Sequence, residues 1–427
     1  SNSPMLQFLW FGRQVDTNSL KADYTRNWNS SYYDNPFWSA SYNTQSQERH
    51  RLIGDLHAEF RLTDGLHVRF RTSTDWYNDR RKSKVKWGSA GAGSPYGSYA
   101  EDAYTVKENN TEVLATYIKQ LNKNWGIDAL LGFNVRNKQY ENNYQAAPRL
   151  AVADLYTLTN SRDPLTSSND FYRLRQYGLY GSIQLDYRRW AFLNITGRND
   201  WSSTLPVDNN SYFYPSASLS AVLTDLFDIR SNILTFAKVR TSTSMVRRDL
   251  EPYQTASNFI ISQGWGGNST ATANNNYPNP DIKPEKVVSY EFGGDFRFFN
   301  SRVGIDVAYY KSITTDLIIP ITLNPSAGYD TKLMNVGKMT NQGIELMVNV
   351  VPVRTKDLEW SLNFNFSKNK NKVVALAEDK GISRIRQIER WASLELRTEN
   401  TKGDGSYGSL YGDYLVYNCL LYTSPSP

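Results

Sequence analysis

The stretch Tyr177-Gly178-Leu179-Tyr180-Gly181-Ser182-Ile183-Gln184-Leu185-Asp186-Tyr187 passes through Arg188-Arg189 into Trp190-Ala191-Phe192-Leu193-Asn194-Ile195-Thr196-Gly197-Arg198. Positions 177, 179, 181, 183, 185 and 187 read Tyr, Leu, Gly, Ile, Leu, Tyr, and the interleaved positions 180 to 186 read Tyr, Ser, Gln, Asp. Beyond the turn, Ala191, Leu193 and Ile195 alternate with Phe192, Asn194, Thr196 and Arg198. A period of two puts alternate side chains on opposite faces of a strand. Two such runs joined by two residues form a hairpin with one apolar and one polar face.

The pattern recurs in both directions along the chain. Val288, Tyr290, Phe292, Phe296 and Phe298 alternate with Ser289, Glu291, Asp295 and Arg297; the turn Asn300-Ser301 leads to Val303, Ile305, Val307 and Tyr309. Ile344, Leu346, Val348 and Val350 pass through residues 354–357 to Trp360, Leu362, Phe364 and Phe366. Leu56, Ala58, Phe60 and Leu62 return as Leu66, Val68 and Phe70, another pair flanks Asn122-Lys123-Asn124, and a less regular one joins 214–222 to 233–241. Six hairpins give twelve strands, each expected to run about 10–14 residues.

Connection lengths alternate. Within hairpins the turns are short. Between hairpins they are long, near 77–111, 139–171, 202–212, 245–285 and 315–340, and rich in Asn, Ser, Gly, Pro and Tyr. Transmembrane β-barrels have this asymmetry: short periplasmic turns, long extracellular loops, and strands of about ten residues alternating apolar-out with polar-in. Tyr187 and Trp190 flank one short turn, and Phe298 and Phe299 precede another, where an amphipathic ring sits well at the membrane–water boundary. Turn length places Arg188-Arg189, Asn300-Ser301 and Lys356-Asp357 on the periplasmic side and 264–276 outside the cell. Mid-strand Leu193, Val307, Leu346 and Phe364 are expected to meet lipid.

Composition agrees. A mean hydropathy of −0.58 and 40% apolar residues exclude a helical membrane protein, since no run approaches the roughly 18 apolar residues a spanning helix needs. Aromatics at 14% exclude a disordered chain. The net charge of +6 is dispersed, and its densest cluster, Arg80, Arg81, Lys82, Lys84 and Lys86, lacks any nucleic-acid-binding motif and is read as a solvated basic loop. The one cysteine, Cys419, excludes a disulfide framework. It opens Cys419-Leu420-Leu421-Tyr422-Thr423-Ser424-Pro425-Ser426-Pro427, which has the look of translated sequencing-adapter read-through; residues 419–427 are read as a non-native tail.

Several segments resemble the SusC/RagA family of TonB-dependent outer-membrane transporters. Asn279-Pro280-Asp281-Ile282-Lys283-Pro284-Glu285 is similar to that family's approach to a late barrel strand. Asn335-Val336-Gly337 followed by Asn341-Gln342-Gly343-Ile344-Glu345 is similar to its entry into the next one. Arg198-Asn199-Asp200-Trp201-Ser202-Ser203 and Lys238-Val239-Arg240-Thr241-Ser242 resemble two of its strands, and Gly408-Ser409-Leu410-Tyr411-Gly412 a glycine-rich stretch before its last strands. The resemblance implies that residues 1–418 are an incomplete barrel domain, twelve strands of about 22, lacking the plug and the final strands. It implies import of oligosaccharides or peptides across the outer membrane of a Gram-negative bacterium, with TonB engaged through a missing N-terminal region and a SusD-like surface lipoprotein over the mouth. The motifs themselves are read as barrel geometry. A passive porin or adhesin, and a secreted β-rich glycan-binding protein, are the alternatives.

No catalytic constellation, cofactor site or metal site is legible. His50, His57 and His67 are scattered, and His57 and His67 fall on a polar face. Gly264-Trp265-Gly266-Gly267 and Gly91-Ala92-Gly93 lack the strand–glycine–helix setting and the lysine of a phosphate cradle. Ligand-contact candidates are the loop aromatics Trp201, Trp265, Tyr277 and Tyr329, and the inward charges Asp186, Arg198, Lys238, Arg240, Glu291, Asp295, Asp306 and Glu345. A charge buried against a plug must be paired, so the latter are also candidates for ion pairs between plug and wall.

Overall fold

The computed structural model describes residues 8, 10–28, 33–90, 95–256, 258–264, 268–377, 382, 384–389, 392–398, 405 and 407–412. Residues 419–427, and with them Cys419, lie outside this set.

A 12-stranded sheet dominates. It begins with β1 (Gln45–Thr63), β2 (Leu66–Val85), β3 (Ser98–Gln120), β4 (Trp125–Ala147), β5 (Thr166–Tyr187), β6 (Ala191–Ser202), β7 (Ser211–Val222) and β8 (Leu234–Arg248). The long connection after β8 holds β9 (Phe259–Gln263), β10 (Ser269–Ala273) and β11 (Asn276–Tyr277). The sheet resumes with β12 (Glu285–Phe298) and β13 (Val303–Thr315). β14 (Ile318–Thr322) and β15 (Thr331–Asn335) follow in the next loop, before β16 (Lys338–Arg354) and β17 (Glu359–Ala375). The order is β1-β2-β3-β4-β5-β6-β7-β8-β12-β13-β16-β17, so each wall strand pairs with the next along the wall, and the ladders from β5 to β17 are antiparallel. The expected six hairpins are all present.

Three expectations change. Strands reach 23 residues in β3 and β4, longer than the expected 10–14. Their outer ends are polar, as in Gln139–Asn143 of β4, which composition alone reads as loop; backbone pairing continues there because the ladder needs no apolar side chains. The basic cluster lies within β2 up to Val85, so it is not a loop. Tyr407–Gly412 is itself a strand, β20, in a separate three-stranded sheet with β18 (Arg384–Glu389) and β19 (Ala392–Arg397). Short helices at Thr17–Ala22 and Pro36–Tyr42 precede the wall and carry no period-two signal.

Both of these hairpin turns are longer than the two residues expected. Three residues, Arg188–Trp190, separate the paired Tyr187 and Ala191, with left-handed φ of 50° at Arg188 and 61° at Arg189. Four residues, 299–302, separate Phe298 from Val303, and Phe299, Asn300 and Ser301 take φ of 53°, 55° and 64°.

The chain divides into two compact units. One comprises Ser1–His57, Arg71–Thr111 and Arg136–Arg175. It has a small core of Tyr99, Ala147 and Leu150. The other comprises Ala58–Phe70, Glu112–Val135 and Gln176–Pro427. Its largest core, Leu205, Tyr212, Leu250 and Ile282, lies among the long connections, with Ile318 and Leu333 packed on it. Among the described residues the mid-strand apolar side chains of the sheet form no such core. Leu179, Ile183, Ile195, Leu219, Phe292 and Phe364 are between 46% and 58% exposed. That is a large apolar surface for a chain in water, and the expected one for a wall whose outer face meets acyl chains. Among the described residues no helix is long and apolar enough to cross a membrane; the crossing elements are strands.

Candidate functional site

Register sorts the wall into two faces. Leu185, Leu193 and Leu219 form one transverse row, as do Ile183, Ile195 and Ala217. Gly294, Val307, Leu346 and Phe366 form another. These rows make the outer face. Between them run Gln184, Asn194 and Ser218, then Lys238, Asp295 and Asp306, then Ala308, Glu345 and Ser367. All eight charges nominated from sequence occupy this second, inner face.

Two clusters form there by the same construction. Arg240 stands opposite Gly293, and its guanidinium lies across that glycine to reach the next strand. A Cβ at Gly293 would sit 2.8 Å from Arg240 Cζ. Nη1 and Nη2 donate to Asp306 at 2.9 and 3.1 Å, and Nε lies 3.5 Å from Glu291. This bidentate fork suits the planar guanidinium. On β5–β7, Arg198 crosses Gly178, whose Cβ would come within 2.3 Å of Nη2. Its Nη2 lies 2.8 Å from Asp200 and donates to Asn134 at 2.9 Å, while Cζ lies 5.0 Å above the Tyr180 ring. Tyr214 donates its hydroxyl to Asp200.

The other nominees are looser. Asp295 accepts from Arg297 at 3.2 Å, and Lys238 lies 6.0 Å from the Phe192 ring. Phe192 is thus an apolar ring on the inner face. Asp186 lies where a Cβ on Gly126 would strike it. Glu345 is exposed, between Ala308 and Ser367, and has no ion pair among the described residues. Trp201 shares the outer face with Ile195, at the far end of β6 from the short turn; that is the place of an interfacial ring. Tyr277 and Tyr329 meet edge to face at 5.0 Å, with the Lys332 ammonium 4.8 Å from the Tyr277 ring. Trp265, with the rest of 265–267, and Gly91-Ala92-Gly93 lie outside the described residues. His50, His57 and His67 each face one carboxylate: Glu48, Asp55 and Glu59. Among the described residues no group of three or more potential ligands could hold a metal.

Sequence reasoning missed three features. Tyr180 and Tyr214 belong to the Arg198 cluster; the signal was the glycines, since Gly132 leaves the space that Tyr180 fills and Gly178 the space that Arg198 and Asp200 fill. Asp249 was also missed. Its carboxylate accepts from Gln176 at 2.7 Å, Ser202 at 2.5 Å and Thr204 at 3.1 Å, tying the top of β8 to β5 and β6. Third, two of the resembling motifs touch. Asn335 Nδ2 donates to the carbonyls of Lys283 at 2.7 Å and Asp316 at 3.0 Å, and Oδ1 accepts from the Lys283 amide at 2.7 Å. β11 pairs with β15 beside this clamp, so the two longest connections share one sheet.

An antiparallel wall with an apolar outer face, an ionic inner face, short turns at one rim and folded loops at the other is part of a large transmembrane β-barrel. The chain belongs to the family described as TonB dependent receptor-like, beta-barrel, whose profile matches residues 5–414; such proteins are outer-membrane barrels of Gram-negative bacteria. It is 24% identical over 91% of its length to TonB-dependent receptor P3 of Formosa agariphila, covering 39% of that protein. It is 27% identical over 46% of its length to TonB-dependent receptor SusC of Bacteroides thetaiotaomicron, covering 20% of it. The fold superposes on a chain of the RagAB peptide transporter with a TM-score of 0.75 at 19% identity, over 86% of this chain and 41% of that one. The chain therefore spans well under half the length of the curated relatives it matches.

Proposed function

We propose that the protein built on this wall imports oligosaccharides or peptides across the outer membrane. In this reading residues 1–418 are barrel, a plug outside this segment closes the lumen, TonB supplies the energy, and a SusD-like lipoprotein covers the extracellular mouth. The wall does no chemistry. The observation that carries the reading is the inner face: guanidinium–carboxylate pairs laid across glycines keep charge paired yet accessible to a polar filling. An open aqueous channel needs no such flattened side chains, and a secreted glycan-binding protein has no use for an apolar outer face. One similar structure, that of a peptide transporter, supports the peptide class; the oligosaccharide class rests on the resemblance to the SusC/RagA family. The test is uptake of fluorescent oligosaccharides and oligopeptides by cells carrying or lacking the full-length gene, in backgrounds with and without TonB. Gene-dependent uptake that also needs TonB is the expected result. Uptake that persists without TonB would return the protein to the passive porins.

A further inference from the structure

The basic run on β2 takes no part in the inner-wall clusters, and the strand's two faces treat charge differently. Its odd positions are paired. Asp75 accepts from Arg51 at 2.9 and 2.6 Å, and fully buried Asp79 accepts from Arg49 at 2.7 Å and Arg81 at 3.1 Å. Its even positions, which continue the alternation of Leu66, Val68 and Phe70, are Thr72, Thr74, Trp76, Asn78, Arg80, Lys82 and Lys84. Side-chain contacts extend this face onto β3: Thr72 to Thr111 at 3.1 Å, Asn109 to Thr74 at 3.1 Å and Asn78 to Thr105 at 3.0 Å. Lys107 falls between those partners.

Arg80, Lys82, Lys84 and Lys107 are exposed, and none has an ion pair among the described residues. Lys84 has only the Tyr156 ring, 5.3 Å away. Nearby carboxylates are engaged elsewhere: Glu48 meets His50 at 3.0 Å, and Glu101 accepts the Tyr99 hydroxyl at 2.6 Å. Trp76, an exposed ring on the same face, stands four residues below Arg80, on the side toward the lipid, with Lys107 across from it on β3. Unpaired cations therefore begin beside an interfacial aromatic at Lys107, and Arg80, Lys82 and Lys84 continue up the outer face toward the long-connection rim, about 7 Å apart on alternate residues.

We infer that Arg80, Lys82, Lys84 and Lys107 form a docking surface for the phosphate groups of outer-leaflet glycolipid. Chemistry and position agree: an outward face just above an aromatic belt meets lipid headgroups, and those of a Gram-negative outer leaflet are phosphorylated sugars. Guanidinium and ammonium groups bind such oxygens strongly. One cation near an anionic lipid surface contributes roughly fivefold in binding, so three together give about a hundredfold.

The test uses full-length receptor in phosphatidylcholine nanodiscs doped with bis-phosphorylated lipid A or its dephosphorylated form. Glycolipid retained after detergent washing is counted by native mass spectrometry. Native protein should retain the phosphorylated form preferentially. The triple variant Arg80→Gln, Lys82→Gln, Lys84→Gln should retain at least tenfold less, and Lys123→Gln at the opposite rim should match the native protein. Should the triple variant fail to assemble, Lys82→Gln alone, a single exposed change, should still lower retention several-fold. Equal retention by native and variant protein, equal retention of the two lipids, or displacement by inorganic phosphate at constant ionic strength would each overturn the inference, the last by making it a free-anion site.

Discussion

Replacing Ile195 by Arg tests the two-faced wall at the position where the effect is largest. Ile195 is 53% exposed and sits in the outer row between Ile183 and Ala217. It lies four residues beyond Ala191, where β6 begins. At about 3.4 Å per residue and a tilt near 40°, that is roughly 10 Å up the wall, close to the middle of an apolar band about 25 Å tall. Leu193 is only half as far up, so Ile195 is the better probe. An Arg near the midplane costs about 2–4 kcal/mol, or roughly 30- to 700-fold in the folding equilibrium. Asn194, one residue away, lies in the inner row between Gln184 and Ser218. Arg there projects into polar surroundings and should cost less than about 1 kcal/mol, the value near a wet boundary. The assay is urea-dependent loss of heat-modifiable gel mobility for full-length protein in outer-membrane vesicles. Equal destabilisation by Ile195→Arg and Asn194→Arg would refute the assignment of lipid to the apolar face.

Three further outcomes follow from the geometry. Gly293→Val places a methyl-bearing carbon 2.8 Å from Arg240 Cζ; the guanidinium leaves Asp306 at a cost of only about 0.5–1 kcal/mol, because the pair is partly exposed, and Arg240 becomes more reactive toward phenylglyoxal while the barrel still assembles. Asn335→Ala removes three hydrogen bonds, two joining it to the preceding long connection and one within its own; at roughly 0.5 kcal/mol or more each in an exposed setting, amide exchange should rise several-fold around Lys283 and Asp316 and stay unchanged in β12 and β13. In the connection after β4, hydrogen bonds from Arg149 hold the Asp163 carboxyl below the usual 3.8. A depressed folded value means the contribution is complete above pH 3.8 and is lost as pH falls through the lower value. Exchange in residues 148–165 should therefore be flat from pH 7 to 5 and rise only below about pH 4; a rise between pH 6 and 5 would contradict this.

The legibility of the wall has a physical cause. Where one face meets lipid, a one-residue slip would bury every polar group of the other face, so the alternation must be strict. Leu193, Val307 and Leu346 could be placed for that reason. Above the membrane the constraint lapses. Both faces of β4 beyond Arg136 meet polar surroundings, and its residues, Asn137 to Gln145, carry no period though they pair as regularly as the rest. The basic stretch of β2 hid in the same way. Its even and odd positions both read as charged, and only the partners of Asp75 and Asp79 separate the faces.

The inner-face clusters were half legible for a different reason. A charge announces itself in sequence, but the space it needs does not, because that space is the absence of a side chain on another strand. Gly178 and Gly293 look like ordinary strand glycines, which weaken pairing and carry no side chain to pack. Register converts them into features: Gly293 faces Arg240, and Gly178 faces Asp200 beside Arg198. Each glycine lets a long cation lie flat against the wall and reach an acid. A flat, paired guanidinium leaves the lumen clear and costs little to cover with a polar body, whereas an upright unpaired one would oppose any filling that could not neutralise it. In the proposed transporter this arrangement would suit a wall that is closed and reopened, because the charges are already satisfied before anything arrives.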